Sequence, residues 1–229
     1  MPSTRPSSLN RSLEVIFLLL AMSLVCCAMV TFRIWYTGHG TYRFLVWNLF
    51  LAWIPVVAAY FLQRVFAKNP SNWPRLLALG LVWLLFLPNS PYLLTDFVHL
   101  EDRSMSGHDI HLLYDAALIF AFALTGLLNG FVSLYWVHRA LNRVLHQRLG
   151  WLLVVGILAL TGYGVYLGRV LRWNSWDVVT NPRSLAKDVL LGITHSTALS
   201  LTTLFAGFLL FGYLTLYGFL SIGDSRRHD

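Results

Sequence analysis

Charged residues are scarce in this sequence of 229 residues. Asp, Glu, Lys and Arg make up only 12% of it and hydrophobic residues 57%, whereas an ordinary soluble domain carries roughly 25% charged residues. This shortage excludes a soluble enzyme and a disordered tail. Cysteine is scarce too: Cys26 and Cys27 are adjacent within an apolar run, which excludes a disulfide scaffold and indicates no metal motif.

The hydrophobic residues fall into six runs, each long enough to cross a bilayer, which takes roughly 20 residues. We predict helices at about 12–33, 44–62, 76–94, 112–137, 150–171 and 189–220. No connection between them is long enough for a second domain. The prediction is therefore an all-α integral membrane bundle that forms a single domain over residues 1–229.

The net charge of +7 comes mostly from Lys and Arg at the ends of the apolar runs. This distribution indicates membrane anchors, and we expect no binding of nucleic acid. The amino end, the connections 63–75 and 138–149 and the tail carry more Lys and Arg than the opposite connections. That excess predicts a multi-pass membrane protein with both termini in the cytoplasm.

Polar residues collect at one depth of the predicted bundle, on the side opposite the termini. They are Asn48, the Pro88-Asn89-Ser90-Pro91 break, Asp115, Arg169, Arg172 and His195. Because polar groups within membrane helices are costly, they are functional candidates by default. We predict a shared pocket; the alternative is that helix ends are polar in any membrane protein.

The third helix contains a proline break. Pro88 and Pro91 each remove a backbone donor, and irregular backbone at membrane depth needs protein or a water-filled cavity around it. We predict that a short amphipathic helix follows at the interface. Its polar face comprises Tyr92, Asp96, His99 and Arg103. That face points either into the site or at water.

The catalytic candidates are acids and imidazoles near this break: Asp96, His99 and Asp115. His108, His111 and Asp115 also share one side of a helix, and such side chains do bind metals. Their spacing matches no established metal signature, so we assign no metal. Proton transfer by an Asp–His pair and a purely structural network both remain open.

The end of the fifth helix carries two arginines at positions i and i+3. Guanidinium groups bind phosphate or carboxylate through two parallel hydrogen bonds. The candidates for substrate binding are Arg169, Arg172, Asn174, Asp177, Asn89, Asn48 and His195. The alternative is an internal lattice in which the arginines pair with Asp96, Asp115 or Asp177.

Three stretches of the chain resemble a known family. They are Leu87-Pro88-Asn89-Ser90-Pro91-Tyr92 with Thr95-Asp96 and His99-Leu100, then Tyr114-Asp115, and Gly168-Arg169 through Arg172-Trp173-Asn174-Ser175-Trp176-Asp177. They are similar to the integral-membrane domain-of-unknown-function family number 1361, although Leu113 stands where the family pattern has Trp. The resemblance implies a polytopic protein of the bacterial inner membrane and supplies no activity.

Three functions remain open at this stage. The first is an enzyme acting on a lipid or envelope precursor, and the second is a transporter or permease. The third is a scaffold or assembly factor of an envelope complex. We expect the lipid bilayer as a partner, together with an anionic lipid or small-molecule ligand. The sequence does not indicate a particular cofactor or oligomeric state.

Overall fold

The apolar runs form helices in the computed structural model, which describes residues 8–100 and 109–225 and the side chains of 12–100 and 111–221. The elements are α1 (Ser8–Thr37), α2 (Arg43–Lys68), α3 (Trp73–Phe86), α4 (Asn89–Tyr92), a 3-10 helix (Leu93–Leu100), α5 (Asp109–Leu141), α6 (Gln147–Arg169), α7 (Asp177–Thr180), α8 (Pro182–Gly192) and α9 (Ser196–Ser225).

Six segments of the described chain are long and apolar enough to cross a membrane. They are α1, α2, the broken segment from α3 through the 3-10 helix, α5, α6 and α9. This agrees with the prediction of an all-α bundle of six membrane helices. The protein is therefore a multi-pass membrane protein. We call the end of the bundle at which α1 ends and α2 begins the polar end.

Helix α5 lies at the centre of the bundle. It packs against α1, α2, α4 and the 3-10 helix, while α3 packs on α2 and α6 packs on α9. One apolar core, near the polar end, contains Leu45, Leu93 and Phe122. The other core contains Trp83 and Leu134 and lies nearer the opposite end. Helices α1 and α9 are the least buried of the six spans, so most of their surface faces the bilayer.

The broken third span packs closely on α5 because two glycines of that helix leave room for it. A Cβ atom on Gly126 would lie 2.7 Å from the carbonyl oxygen of Ser90, and one on Gly130 would lie 2.8 Å from the Ser90 Cβ. Small residues four apart let helix backbones approach each other in this way. The irregular backbone around Ser90 is thus enclosed by protein.

The short helix predicted after the break is a 3-10 helix, and its polar face does not point uniformly at water. Asp96 is only 1% exposed and faces the protein, whereas Val98 of the same helix is exposed. This decides between the two orientations that the sequence left open for Asp96. Arg103, the last residue of the predicted face, lies outside the described residues.

The last predicted helix, 189–220, is in fact two helices. Helix α8 begins at Pro182 and ends at Gly192, and α9 begins at Ser196. Between them the N–H of His195 donates to the carbonyl of Gly192 at 3.0 Å, which closes a turn, and the His195 carbonyl accepts from Leu199. The hydroxyl of Tyr163 on α6 donates to the Val189 carbonyl at 2.6 Å and holds the end of α8 in place.

Candidate functional site: a cavity at the polar end

A cavity of about 750 Å³ opens at the polar end. Its walls come from α2, α3, α4, α6, α8, the 3-10 helix and the connection around α7. The polar and aromatic side chains that line it are Trp47, Asn48, Asn89, Tyr92, His99, Tyr163, Arg169, Arg172, Trp173, Asn174 and Ser175. Six of them (Asn48, Asn89, His99, Arg169, Arg172 and Asn174) are among the ten candidates taken from the sequence.

Asp96 lies directly behind this lining and holds two of its members. Its carboxylate accepts a hydrogen bond from Asn48 Nδ2 at 3.1 Å and pairs with Arg169 Nη1 at 3.4 Å. The Arg169 guanidinium also lies 5.9 Å from the ring centroid of Tyr92, within cation–π distance. Asp96 therefore positions Asn48 and Arg169 at the cavity wall.

Arg172 has the most unusual backbone conformation in the site. Its φ of +61° makes it the one non-glycine residue with positive φ in the described chain. This left-handed conformation costs a non-glycine residue roughly 1–2 kcal/mol. It ends α6, because the Trp173 N–H then reaches back to the Leu167 carbonyl at 3.1 Å, a position at which helices usually have glycine.

The Arg172 side chain is exposed to the cavity. It forms no ion pair with any described residue. Of the two arginines that the sequence suggested for an internal network of ion pairs, Arg169 does pair with Asp96, whereas Arg172 pairs with no described acidic residue. Arg172 brings an unneutralised positive charge to the cavity wall.

The connection after α6 is held by Asp177. Its carboxylate accepts hydrogen bonds from the Asn174 N–H at 2.7 Å and from the Thr180 hydroxyl at 2.9 Å. The backbone N–H of Asn174 keeps the pKa of Asp177 below its ordinary value, and Thr180 adds to the effect. Asp177 does not line the cavity; it shapes the turn that carries Asn174.

Asn89 ties this connection to the proline break. Its Nδ2 donates to the Phe86 carbonyl and to the Ser175 hydroxyl, both at 3.0 Å, and that hydroxyl donates to the Leu85 carbonyl at 3.0 Å. Carbonyls left free at the end of α3 are thus satisfied inside the protein, as backbone at membrane depth requires. The bonds close the cavity between α4 and α7.

Asp115 lies outside this cavity, so the predicted shared pocket is wrong on this point. The Arg33 guanidinium donates two hydrogen bonds to the Asp115 carboxylate, from Nε at 2.5 Å and from Nη2 at 2.9 Å. The Tyr42 hydroxyl donates a third at 3.0 Å. The physical reason is that α1 continues to Thr37 and brings Arg33 against α5. The sequence analysis did not select Arg33 as a candidate, because the apolar run ends at that residue. The feature that could have identified it is a charged side chain that still lies within the helix.

His195 also lies outside the cavity, contrary to the expectation of a shared pocket. His195 is exposed in the turn between α8 and α9 and does not line the cavity. The break of the predicted last helix is the reason, because it separates His195 from α6 and its arginines.

No three of the described His, Cys, Asp and Glu side chains lie close enough together to hold a metal ion. His111 packs its ring against Tyr36, with the ring centroids 5.8 Å apart. His108, the first residue of the predicted face of His108, His111 and Asp115, lies outside the described residues. His99, by contrast, lines the cavity, where its ring contacts Phe44 edge-on.

Comparison with known proteins places this architecture in a family. Residues 47–212 match the family described as a protein of unknown function, DUF1361. The chain belongs to this family. No curated protein and no solved structure matches it. The matched stretch contains every residue that lines the cavity of the DUF1361 protein, whereas Arg33 and Tyr42 lie before it.

Proposed function

We propose that this DUF1361 protein binds the anionic group, a phosphate or a carboxylate, of an amphipathic ligand in the cavity at its polar end. The observation that carries the proposal is the charge of the lining: Arg169 and Arg172 contribute to it, and no Asp or Glu of the described chain does. Asp96 offsets one of the two positive charges from behind. The cavity wall thus retains about one positive charge, which favours an anion.

The backbone at Arg172 supports the same proposal. Glycine would adopt its left-handed conformation without strain, yet the chain has a long cationic side chain there, directed into the cavity and without an ion-pair partner among the described residues. Backbone strain of this kind occurs preferentially at functional sites. A ligand's anionic group is the partner that Arg172 lacks.

The remaining walls indicate that the ligand is amphipathic. Away from the arginines the cavity is lined by aliphatic side chains: Leu51, Leu81, Leu84, Leu85, Leu160, Leu167, Val178, Leu185 and Val189. Ligand sites combine such an apolar surface with a few polar groups that orient the ligand. A small inorganic anion leaves most of these walls without contacts.

The imidazole of His99 in the same lining favours an enzyme over a simple binding protein. Imidazole is the side chain that most often transfers protons in enzymes. In this proposal His99 is the group that would exchange a proton with the bound ligand, Arg169 and Arg172 hold the ligand's anionic group, and Asp96 positions Arg169. Asp115 is not part of this proposal, because it does not line the cavity and pairs instead with Arg33 and Tyr42.

A transport pathway is less well supported. Nearer the opposite end lies a mainly apolar core with Trp83, Leu87 and Leu134, which encloses a few polar side chains such as Ser133 and His138. A permease needs polar groups along the whole path of its substrate. The distribution of Lys and Arg favours placing the cavity on the extracytoplasmic side, so the proposed enzyme acts there on a lipid or an envelope precursor.

The test is the binding of dodecyl phosphate to the purified protein in dodecyl maltoside, measured as a concentration-dependent rise in the unfolding temperature. Arg172→Asn removes the charge and keeps a residue that tolerates positive φ. Since a hydrogen bond to a charged group contributes about 1.5–3 kcal/mol, we expect the Kd to rise about 10- to 100-fold. Arg183→Gln, on exposed α8 outside the lining, is the control and should leave the Kd unchanged.

The proposal is wrong if Arg172→Asn binds dodecyl phosphate as tightly as the wild type and the Arg183→Gln control do. It is also wrong if uncharged dodecanol stabilises the wild type as much as dodecyl phosphate does. A scaffold without a ligand site predicts that Arg172→Asn changes only the amount of folded protein.

A further inference from the structure

The cavity has a side opening between α3 and α6. These helices form opposite walls, but α3 packs on α2 and α6 packs on α9. Leu81 of α3 and Leu160 of α6 both line the cavity, and yet 58% and 56% of their surfaces are exposed. Because α3 and α6 both line the cavity without packing on each other, these two exposed leucines mark the edges of an opening.

The opening lies at the depth of lipid hydrocarbon. At a rise of about 1.5 Å per residue, Leu160 lies about 14 Å from Arg169 along α6, and Leu81 lies on α3 before the break that carries Asn89. The hydrocarbon core of a bilayer is about 30 Å thick. Trp47 and Trp173 line the polar part of the cavity, as expected of side chains at the headgroup level. From there, about 14 Å along α6 leads towards the middle of the membrane.

At the polar end, specific contacts join the walls of the cavity. Trp47 of α2 and Trp176 beside α7 meet edge to face, with ring centroids 6.4 Å apart. Asn89 and Ser175 join the break to the same connection. The gap between α3 and α6, which do not pack on each other, is the exit that we assign to a chain at hydrocarbon depth.

We infer that the ligand is an anionic membrane lipid whose headgroup lies at Arg169 and Arg172 and whose acyl chain passes between Leu81 and Leu160 into the bilayer. This inference rests on the proposed anion binding and adds the class of substrate. Charge complementarity selects the headgroup, and the continuous apolar wall selects the chain. Lipid reaches such a site sideways from its own leaflet, without crossing water.

The experiment narrows the opening and compares a lipid with its headgroup. Wild type and Leu81→Trp/Leu160→Trp are reconstituted in nanodiscs of phosphatidylcholine with phosphatidylglycerol, extracted into detergent, and analysed for bound phosphatidylglycerol by native mass spectrometry. Binding of sn-glycerol 3-phosphate is measured separately by calorimetry. Leu204→Trp, on the bilayer face of α9 and 64% exposed, is the matched control.

We expect bound phosphatidylglycerol to fall about tenfold or more in the double variant and to stay at the wild-type level in Leu204→Trp. Binding of sn-glycerol 3-phosphate should be the same in all three proteins. Undiminished phosphatidylglycerol in the double variant overturns the lipid inference and leaves the proposed anion binding intact. If instead Arg172→Asn keeps both ligands, the proposed function itself fails.

A second measurement covers the case in which the double variant does not fold. Phosphatidylglycerol with a diazirine at the end of its acyl chain is irradiated with the wild-type protein in nanodiscs, and the modified peptides are mapped. We expect modification concentrated on α3 and α6 around Leu81 and Leu160. Modification distributed evenly over the exposed faces of α1 and α9 contradicts the inference.

Discussion

The ion pair of Arg33 with Asp115 supports a quantitative prediction. Both groups are almost fully buried, with side-chain exposures of 8% and 2%. Two hydrogen bonds join them, and Tyr42 donates a third to the same carboxylate. Asp115→Asn leaves a buried guanidinium without its counter-charge, Arg33→Gln leaves the carboxylate with Tyr42, and the double variant removes both charges.

The expected magnitude follows from the geometry. Two unit charges about 4 Å apart attract each other by about 4 kcal/mol at an effective dielectric constant of about 20. Removing one partner of a buried pair costs about 3–5 kcal/mol, because the other charge stays buried and unpaired. We therefore expect each single variant to lose about 3–5 kcal/mol of unfolding free energy and the double variant to lose no more than either.

The assay is thermal unfolding of the purified variants in one detergent, followed by tryptophan fluorescence. At about 2–4 °C per kcal/mol for a chain of this size, each single variant should unfold about 6–20 °C below the wild type. Glu14→Gln, an exposed acid, is the control and should shift the midpoint little. Losses in the double variant equal to the sum of the two single losses would refute the pair as a coupled unit.

Three further predictions concern the packing around the cavity. Gly126→Ala places a methyl group 2.7 Å from the Ser90 carbonyl and should lower the unfolding free energy by about 1–3 kcal/mol, measured by the same thermal unfolding. Ser175→Ala removes hydrogen bonds on both sides of its hydroxyl and should weaken dodecyl phosphate binding by loosening the wall, which calorimetry measures. The Asn174–Asp177 turn should be intact above the ordinary pKa of aspartate, about 3.9, and be lost as the pH falls through the lower folded value; tryptophan fluorescence between about pH 5 and 2 follows it.

Each of these has a matched control. A Cβ on Gly207 of α9 meets no atom within 4 Å, so Gly207→Ala should not destabilise, and equal losses at both glycines would contradict the packing argument. Ser200→Ala, at an exposed position, should leave ligand binding unchanged. Asp177→Asn should abolish the fluorescence transition, and its persistence would assign the transition to another group.

The depth of the candidate residues was predictable from the sequence, because the alternation of helix direction determines which helix ends meet. Asn48 at the start of α2 and Arg169 at the end of α6 do meet, through Asp96. Their position around the bundle was not predictable. Two residues at the same depth can still lie on different sides of the bundle. Which side a residue lies on depends on how the other helices are arranged around α5. Asp115 has the right depth and lies on the side of α5 that faces α1.

The orientation of Asp96 and the break before α9 depend on contacts that no local pattern contains. Asp96 faces inward because α5 has glycines at 126 and 130 that admit the broken span, a fit between segments far apart in sequence. The turn at 193–195 follows an apolar run that reads as continuous helix. Tyr163 of α6 holds the end of α8 before this turn by donating to the Val189 carbonyl, and the periodicity of the run does not reveal that contact.

The central claim, that Arg169 and Arg172 bind the anionic group of a ligand, is tested most directly by an experimental structure of the protein with dodecyl phosphate. The account predicts the phosphate in the cavity, with its oxygens about 2.7–2.9 Å from the guanidinium nitrogens of Arg172 and Arg169. A structure in which dodecyl phosphate binds elsewhere, while Arg172 extends to solvent and the cavity holds no anion, would contradict it.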